Sequence, residues 1–227
     1  MWRELQRVFT ALAADQHLRC IVVQGAGEHF AAGADIAEFP SFRFNEASLR
    51  EYHEDIIAPA LEAIWQCDIP IIAAVRGNCV GGGLEIAACC DFRLARADAC
   101  FGAPIAKLGF PMAPQELHAV VRAFGFANVR ELLLSAELWS APKALAKGLV
   151  SSVNNAIELE AQIDYSCSAA AKLPTESLRN NKRNLRALAQ ASFPTSPLQS
   201  NYQMQQRTQQ RDFIVFAMIL GHKYAIN

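Results

Sequence analysis

The chain has 227 residues, 52% of them hydrophobic, and a formal net charge of −1. That supports a sizeable core in one large domain or one domain with a tail, and gives no global attraction for nucleic acid or an anionic membrane. No apolar run reaches the length of about 18 residues that a spanning helix needs, and the amphipathic start MWRELQRVF is not a signal peptide. Seven cysteines with no CxxC spacing leave zinc-ribbon and thioredoxin chemistry unsupported, and buried free thiols in a reducing cytoplasm fit best.

In chain order, Trp2, Leu5, Val8, Phe9 and Leu12 recur at helical spacing, so the chain opens inside a helix. CIVVQ, residues 20–24, reads as a strand, and Gly25-Ala26-Gly27 as a turn. Residues 30–36, FAAGADI, are small and end in a helix start at Asp35. Residues 41–48 read as a surface loop. A helix over 51–66 turns Leu61, Ile64 and Trp65 inward, with Pro59 kinking or splitting it.

Residues 69–91, IPIIAAVRGNCVGGGLEIAACCD, organise the rest. Ile71 to Val75 is an apolar run bounded by Pro70 and Gly77, as in a buried strand. A tight turn, then Gly81, Gly82 and Gly83, lead into a helix over 84–90. Residues without Cβ let a ligand approach the backbone. The first N–H groups of a helix lack intrahelical partners and carry the positive end of its dipole. Glu85 falls in the first turn, where its carboxylate reaches the same space. A plain Gly-rich turn with a dipole-matching acid reads equally well from this stretch alone.

A strand signal follows at 92–95, residues 100–104 read as strand then turn, and helices follow before Gly125 and over 129–134. Another helix opens with Ser140 as cap and Pro142 early, and ends at Gly148. A short strand follows over 149–153. Beyond Ile157 the pattern is helical, with breaks at Pro174 and between Pro194 and Pro197. Strands alternating with helices, then a helical tail, predict an α/β core over residues 1–155 and a helical region over 156–227.

FAAGADI together with residues 71–91 resembles the crotonase superfamily, the enoyl-CoA hydratase/isomerase family. FGAP at 101–104, ALAKGLVSSV at 144–153 and the basic helix around Lys182 are similar to it as well. The resemblance implies a β-β-α spiral core with a C-terminal helical region, assembled as homotrimers or dimers of trimers. It implies acyl-CoA thioesters as substrates, with coenzyme A part of the substrate and no separate cofactor. By motif position, the backbone N–H groups of Ala34 and Gly82 would form an oxyanion hole, with Glu85 as the proton carrier. Ala32, Ala34, Asp35, Ile36, Ala37, Gly81 and Gly82 would line the CoA thioester site.

Two departures stand out. Hydratases of the family carry a second carboxylate just after FGxP, where this chain has Ile105. One carboxylate suits isomerisation better than hydration, or leaves a non-catalytic acyl-CoA binder. Glu116 is a candidate second acid, although an exposed acid at a helix start is the favoured reading there. The family also begins with two strands that precede the first helix. Their absence implies an unpaired sheet edge and lower stability than a longer relative. His17, His29, His53, His118 and His222 show no ligand spacing, and no metal is expected. The basic stretch 179–186 reads by default as a solvated face, with CoA phosphates or RNA as lesser readings.

Overall fold

The structure, a computed structural model, describes residues 1–33 and 45–192. Helix α1 (Trp2–Ala14) buries Trp2 and Phe9 and leads to strand β1 (Ile21–Gln24). Helix α2 (Glu46–Arg50) starts at Asn45, whose side chain accepts from the N–H groups of Ala47 and Ser48. It runs into a π-helical segment (Glu51–Ile57) and then α3 (Ala58–Gln66). The expected split at Pro59 takes this form. The wider turn comes first, and Pro59, with no N–H to donate, sits where the helix changes register.

Strands β2 (Ile71–Val75), β4 (Phe92–Arg96) and β7 (Ser152–Asn154) join β1 in a four-stranded parallel sheet, ordered β1-β2-β4-β7. Every residue of β2 is buried. Ile71, Ala73 and Val75 face the main core, whereas Ile72 and Ala74 pack with Leu94 against Leu159 and Ile163. A strand covered on both faces reads as a continuous apolar run, which is why it was legible. β7 lies later than the expected 149–153, since Leu149 and Val150 are in the core just before it.

A second sheet was not foreseen. Strands β3 (Asn78–Val80), β5 (Cys100–Gly102) and β6 (Trp139–Ser140) pair in that order, parallel and then antiparallel. Asn78 to Val80 reads as turn by composition, yet its backbone is claimed by Ala31 on one side and β5 on the other. Helix α4 (Gly82–Cys89) follows β3, and a 3-10 turn (Pro104–Leu108) follows β5. Helices α5 (Pro114–Phe124) and α6 (Phe126–Ser135) pack in series beside α4, and α7 (Ala141–Ala146) packs on this sheet. The Ser140 side chain accepts from Lys143 N–H, as the cap pattern predicts.

Helices α8 (Ala156–Lys172) and α9 (Thr175–Ser192) break at Pro174 as expected. Pro194, Pro197 and the C-terminal segment with Phe213, Phe216 and Ile219 lie outside the described residues. The basic stretch on α9 corrects the expectation of a solvated face. Arg179 is only 4% exposed and donates to the Gln16 side chain at 3.0 Å and the Asp15 carbonyl at 2.9 Å. Arg183 and Arg186 both hold Asp68 at 2.6 Å. Lys182 reaches the Ile69 carbonyl at 2.8 Å and Asp91 at 2.6 Å. These cations fasten α9 to the ends of α1, α3 and α4, so they are engaged within the fold.

Asp91 is the centre of that fastening, because its carboxylate also accepts the Ile71 N–H at 2.7 Å. Asp91→Ala leaves a buried amide without its acceptor and a mostly buried ammonium without its counter-charge. A loss of about 3 kcal/mol is expected from urea unfolding. A change below about 0.5 kcal/mol, the range of ordinary surface substitutions, would contradict this anchoring.

All seven cysteines are free. Burial pushes the Cys89 thiol up to about 12, and those of Cys79 and Cys90 also well up. Alkylation of the folded protein at neutral pH should therefore reach the part-exposed Cys100 and Cys167 well before Cys79, Cys89 or Cys90. Peptide mass spectrometry showing Cys89 labelled as fast as in the unfolded chain would overturn that order.

Candidate functional site

The glycine-rich turn joins the two motifs in space. Phe30 and Ala31 are pinned beside β3: Phe30 N–H donates to the Arg76 carbonyl at 2.8 Å, and Ala31 N–H to the Asn78 carbonyl at 2.9 Å. Val80 N–H returns to the Ala31 carbonyl at 2.9 Å. The chain then turns at Gly33 (φ +110°) and, on the facing strand end, at Gly81 (φ +57°). Both are positive-φ positions that L side chains disfavour, and a Cβ on Gly81 would stand 3.6 Å from Gly33 Cα. Ala32 is exposed beside this turn. Ala34, Asp35, Ile36 and Ala37, the rest of the expected thioester-binding stretch, lie outside the described residues.

Helix α4 begins at once after Gly81, which supplies no side-chain cap. Its first intrahelical bond runs from Glu85 N–H to the Gly81 carbonyl at 3.1 Å. The N–H groups of Gly82, Gly83 and Leu84 precede that bond and have no intrahelical acceptor. Gly82 is half-buried, and the Trp2 ring covers it where a side chain would stand. A Cβ there would lie 2.8 Å from the Trp2 ring and 3.9 Å from Glu85 Oε2. The Glu85 carboxylate thus lies near the side of Gly82 where a side chain would stand, only 5% exposed, at the positive end of the helix. Ile105, on the 3-10 turn after β5, packs against the core and offers no titratable group.

Glu116 is where the structure departs from the sequence reading. It lies in the first turn of α5, as expected, but it is 4% exposed rather than solvated. Its Oε1 lies 2.5 Å from Nδ1 of His53, which is itself 7% exposed. His53 comes from the π-helical segment, 63 residues away in sequence, and Tyr52 packs edge-on to its ring. No sequence spacing reveals this pair. A seven-residue π-helical stretch is rare, and such insertions concentrate at functional sites.

The two acids belong to the same end of the molecule. Helices α4 and α5 run side by side. Arg93 caps the last turn of α4, donating to the Ala87 carbonyl at 3.3 Å and the Cys90 carbonyl at 2.7 Å, and lies 5.4 Å from the ring of Phe124 at the end of α5. Arg122 faces the Cys89 thiol. The C-terminal ends are therefore together, which makes the helices parallel and places the first turns, with Glu85 and Glu116, at one end. Helix α1 ties in the π-helical segment there: Trp2 covers Gly82, and neighbouring Arg3 approaches Glu51 at 3.8 Å. Among the described residues, no His, Cys, Asp and Glu group is arranged to hold a metal ion, and no helix is long and apolar enough to cross a membrane.

A sequence model of the family described as "Enoyl-CoA hydratase/isomerase" matches residues 1–219. The Delta(3,5)-Delta(2,4)-dienoyl-CoA isomerase, mitochondrial, of Homo sapiens is 31% identical over 195 residues, covering 81% of this chain and 59% of that protein. A probable enoyl-CoA hydratase of Bacillus subtilis is 39% identical over 150 residues, covering 65% of this chain and 57% of that protein. The chain thus spans somewhat under two thirds of the length of these relatives. Among solved structures, an enoyl-CoA hydratase/carnithine racemase from Magnetospirillum magneticum superposes with a TM-score of 0.80 at 32% identity, covering 100% of this chain and 85% of that one. An enoyl-CoA hydratase/isomerase family protein from Hyphomonas neptunium gives 0.78 at 28% identity, covering 96% and 79%. With the family model matching residues 1–219 and these superpositions, this chain belongs to the enoyl-CoA hydratase/isomerase family and has its crotonase fold.

Proposed function

We propose that the protein acts on acyl-CoA thioesters by forming an enolate at the α-carbon, with Glu85 as the group that moves the α-proton. The observation that carries this is the Glu85 carboxylate, buried beside Gly82 in the first turn, where the helix N–H groups have no intrahelical acceptor. An α-proton of a thioester is weakly acidic, and its removal places negative charge on the carbonyl oxygen. Gly82 N–H, with Ala34 N–H as the second donor, would meet that oxygen. Backbone donors are fixed in advance, and loss of one donor of this kind typically costs about 3 to 4 kcal/mol. Return of a proton to carbon then completes a shift of the double bond.

Ile105 also suits a second reading, in which the chain binds acyl-CoA without turning it over. The retained Glu85 and its setting weigh against it. The coenzyme A moiety arrives with the substrate and no other cofactor is invoked. Assembly as a homotrimer or a dimer of trimers, through the helical region, and a reducing, cytoplasmic setting for the free thiols complete the reading.

The test is an absorbance assay with two substrates. A 2-enoyl-CoA loses its conjugated absorbance on hydration, and a 3-enoyl-CoA gains it on isomerisation. Turnover of either supports the proposal. Tight binding of both with no change in absorbance would leave the binder reading in its place.

A further inference from the structure

The buried His53–Glu116 pair has no role in the chemistry assigned to Glu85, and three observations give it one. It is built rather than incidental: two titratable side chains, each more than nine-tenths buried, meet at 2.5 Å across 63 residues of sequence. It stands on a π-helical insertion that turns His53 inward. It shares with Glu85 and Gly82 the end of the molecule where α4 and α5 begin. We propose that His53, oriented by Glu116, is the second proton-transfer group and serves the γ-carbon of an unsaturated acyl thioester. This rests on the enolate reading above.

The geometry within the pair sets the division of labour. The Glu116 carboxyl engages Nδ1 and fixes the ring, so proton exchange falls to Nε2. A carboxylate that fixes one face of an imidazole while the other works is a recurring catalytic arrangement. Among the described residues Nδ1 has Glu116 and Nε2 has no hydrogen-bond partner.

The step balances without further reagents. Glu85 takes a proton from the α-carbon of a 3-enoyl thioester, and the C–H electrons delocalise into a dienolate held at its oxygen. The His53 imidazolium gives its Nε2 proton to the γ-carbon. The C3–C4 π electrons form that new bond, the double bond moves to C2–C3, and the thioester carbonyl reforms. Glu85 is left protonated and His53 neutral, and proton exchange with solvent resets both. Hydration would need both groups on one water at adjacent carbons. A double-bond shift needs them at separate carbons, which suits groups on separate elements.

The experiment uses the full chain with a 3-enoyl-CoA in deuterated water, followed by NMR at both the α- and γ-carbons. Wild type should place deuterium at γ in the 2-enoyl product. His53→Gln should lose γ delivery by about 100-fold, while α-exchange stays within a few-fold. Glu116→Gln, which keeps a neutral hydrogen bond to the ring, should lose about 10-fold at γ. Undiminished γ delivery in His53→Gln overturns the proposal. So does a parallel fall of α- and γ-exchange in both variants, which marks a structural pair, or a wild type that exchanges at α and never at γ. A wild type with no α-exchange instead fails the enolate reading itself.

Discussion

Glu85→Gln should reduce turnover of an enoyl-CoA by about 10² to 10⁴-fold, with affinity for the thioester changed only a few-fold. The substitution keeps the shape and burial of the side chain and removes only its capacity to carry a proton. Glu85 Oε2 lies 3.9 Å from where a Gly82 side chain would begin, so a thioester oxygen bound by the Gly82 N–H would have its α-carbon in the neighbourhood of the carboxylate. The amide cannot take that proton. A loss confined to kcat is the signature of an interaction made in the transition state. A variant that keeps wild-type kcat would remove Glu85 from the chemistry, and one that loses binding alone would assign it to ground-state recognition.

The second large effect is expected at Gly83→Ala. A Cβ there would lie 2.8 Å from both the Cβ and the carbonyl oxygen of Ala31. Real Cβ atoms do not approach backbone this closely, and Ala31 is pinned to β3 by two hydrogen bonds and cannot retreat cheaply. Overpacking of this kind costs about 1 to 3 kcal/mol, which lowers Tm by about 2 to 12 °C for a chain of this size. The separation of α4 from the FAAG segment also sets the spacing of the two proposed donors. A misplacement of about 1 Å can cost about 100-fold in rate. Folded Gly83→Ala should therefore be slower than its stability loss explains. Unchanged Tm together with unchanged turnover would show that the two segments need not lie so close.

Much of this arrangement was legible because it depends on local chemistry. The apolar run of β2, the three glycines that open α4 and the Ser140–Pro142–Gly148 punctuation of α7 all act over a few residues. What was not legible depends on partners far along the chain. Asn78 to Val80 is a strand only because Ala31 and β5 supply its hydrogen bonds. The charges on α9 read as solvated, since Asp68 and Asp91 lie about a hundred residues earlier. The same distance effect hid Glu116. By composition it is an acid in a first helical turn, and only the π-helical register that turns His53 inward makes it a buried pair. The proposed donor at Ala34, with Asp35, Ile36 and Ala37, stands on the motif alone.

The most direct test of the enolate account needs no double bond. A saturated acyl-CoA is incubated with the protein in deuterated water, and loss of the α-proton signal is followed by NMR. The account predicts exchange with wild type and about 10²-fold slower exchange or less with Glu85→Gln. Saturable binding of the thioester with no α-exchange by wild type would contradict it.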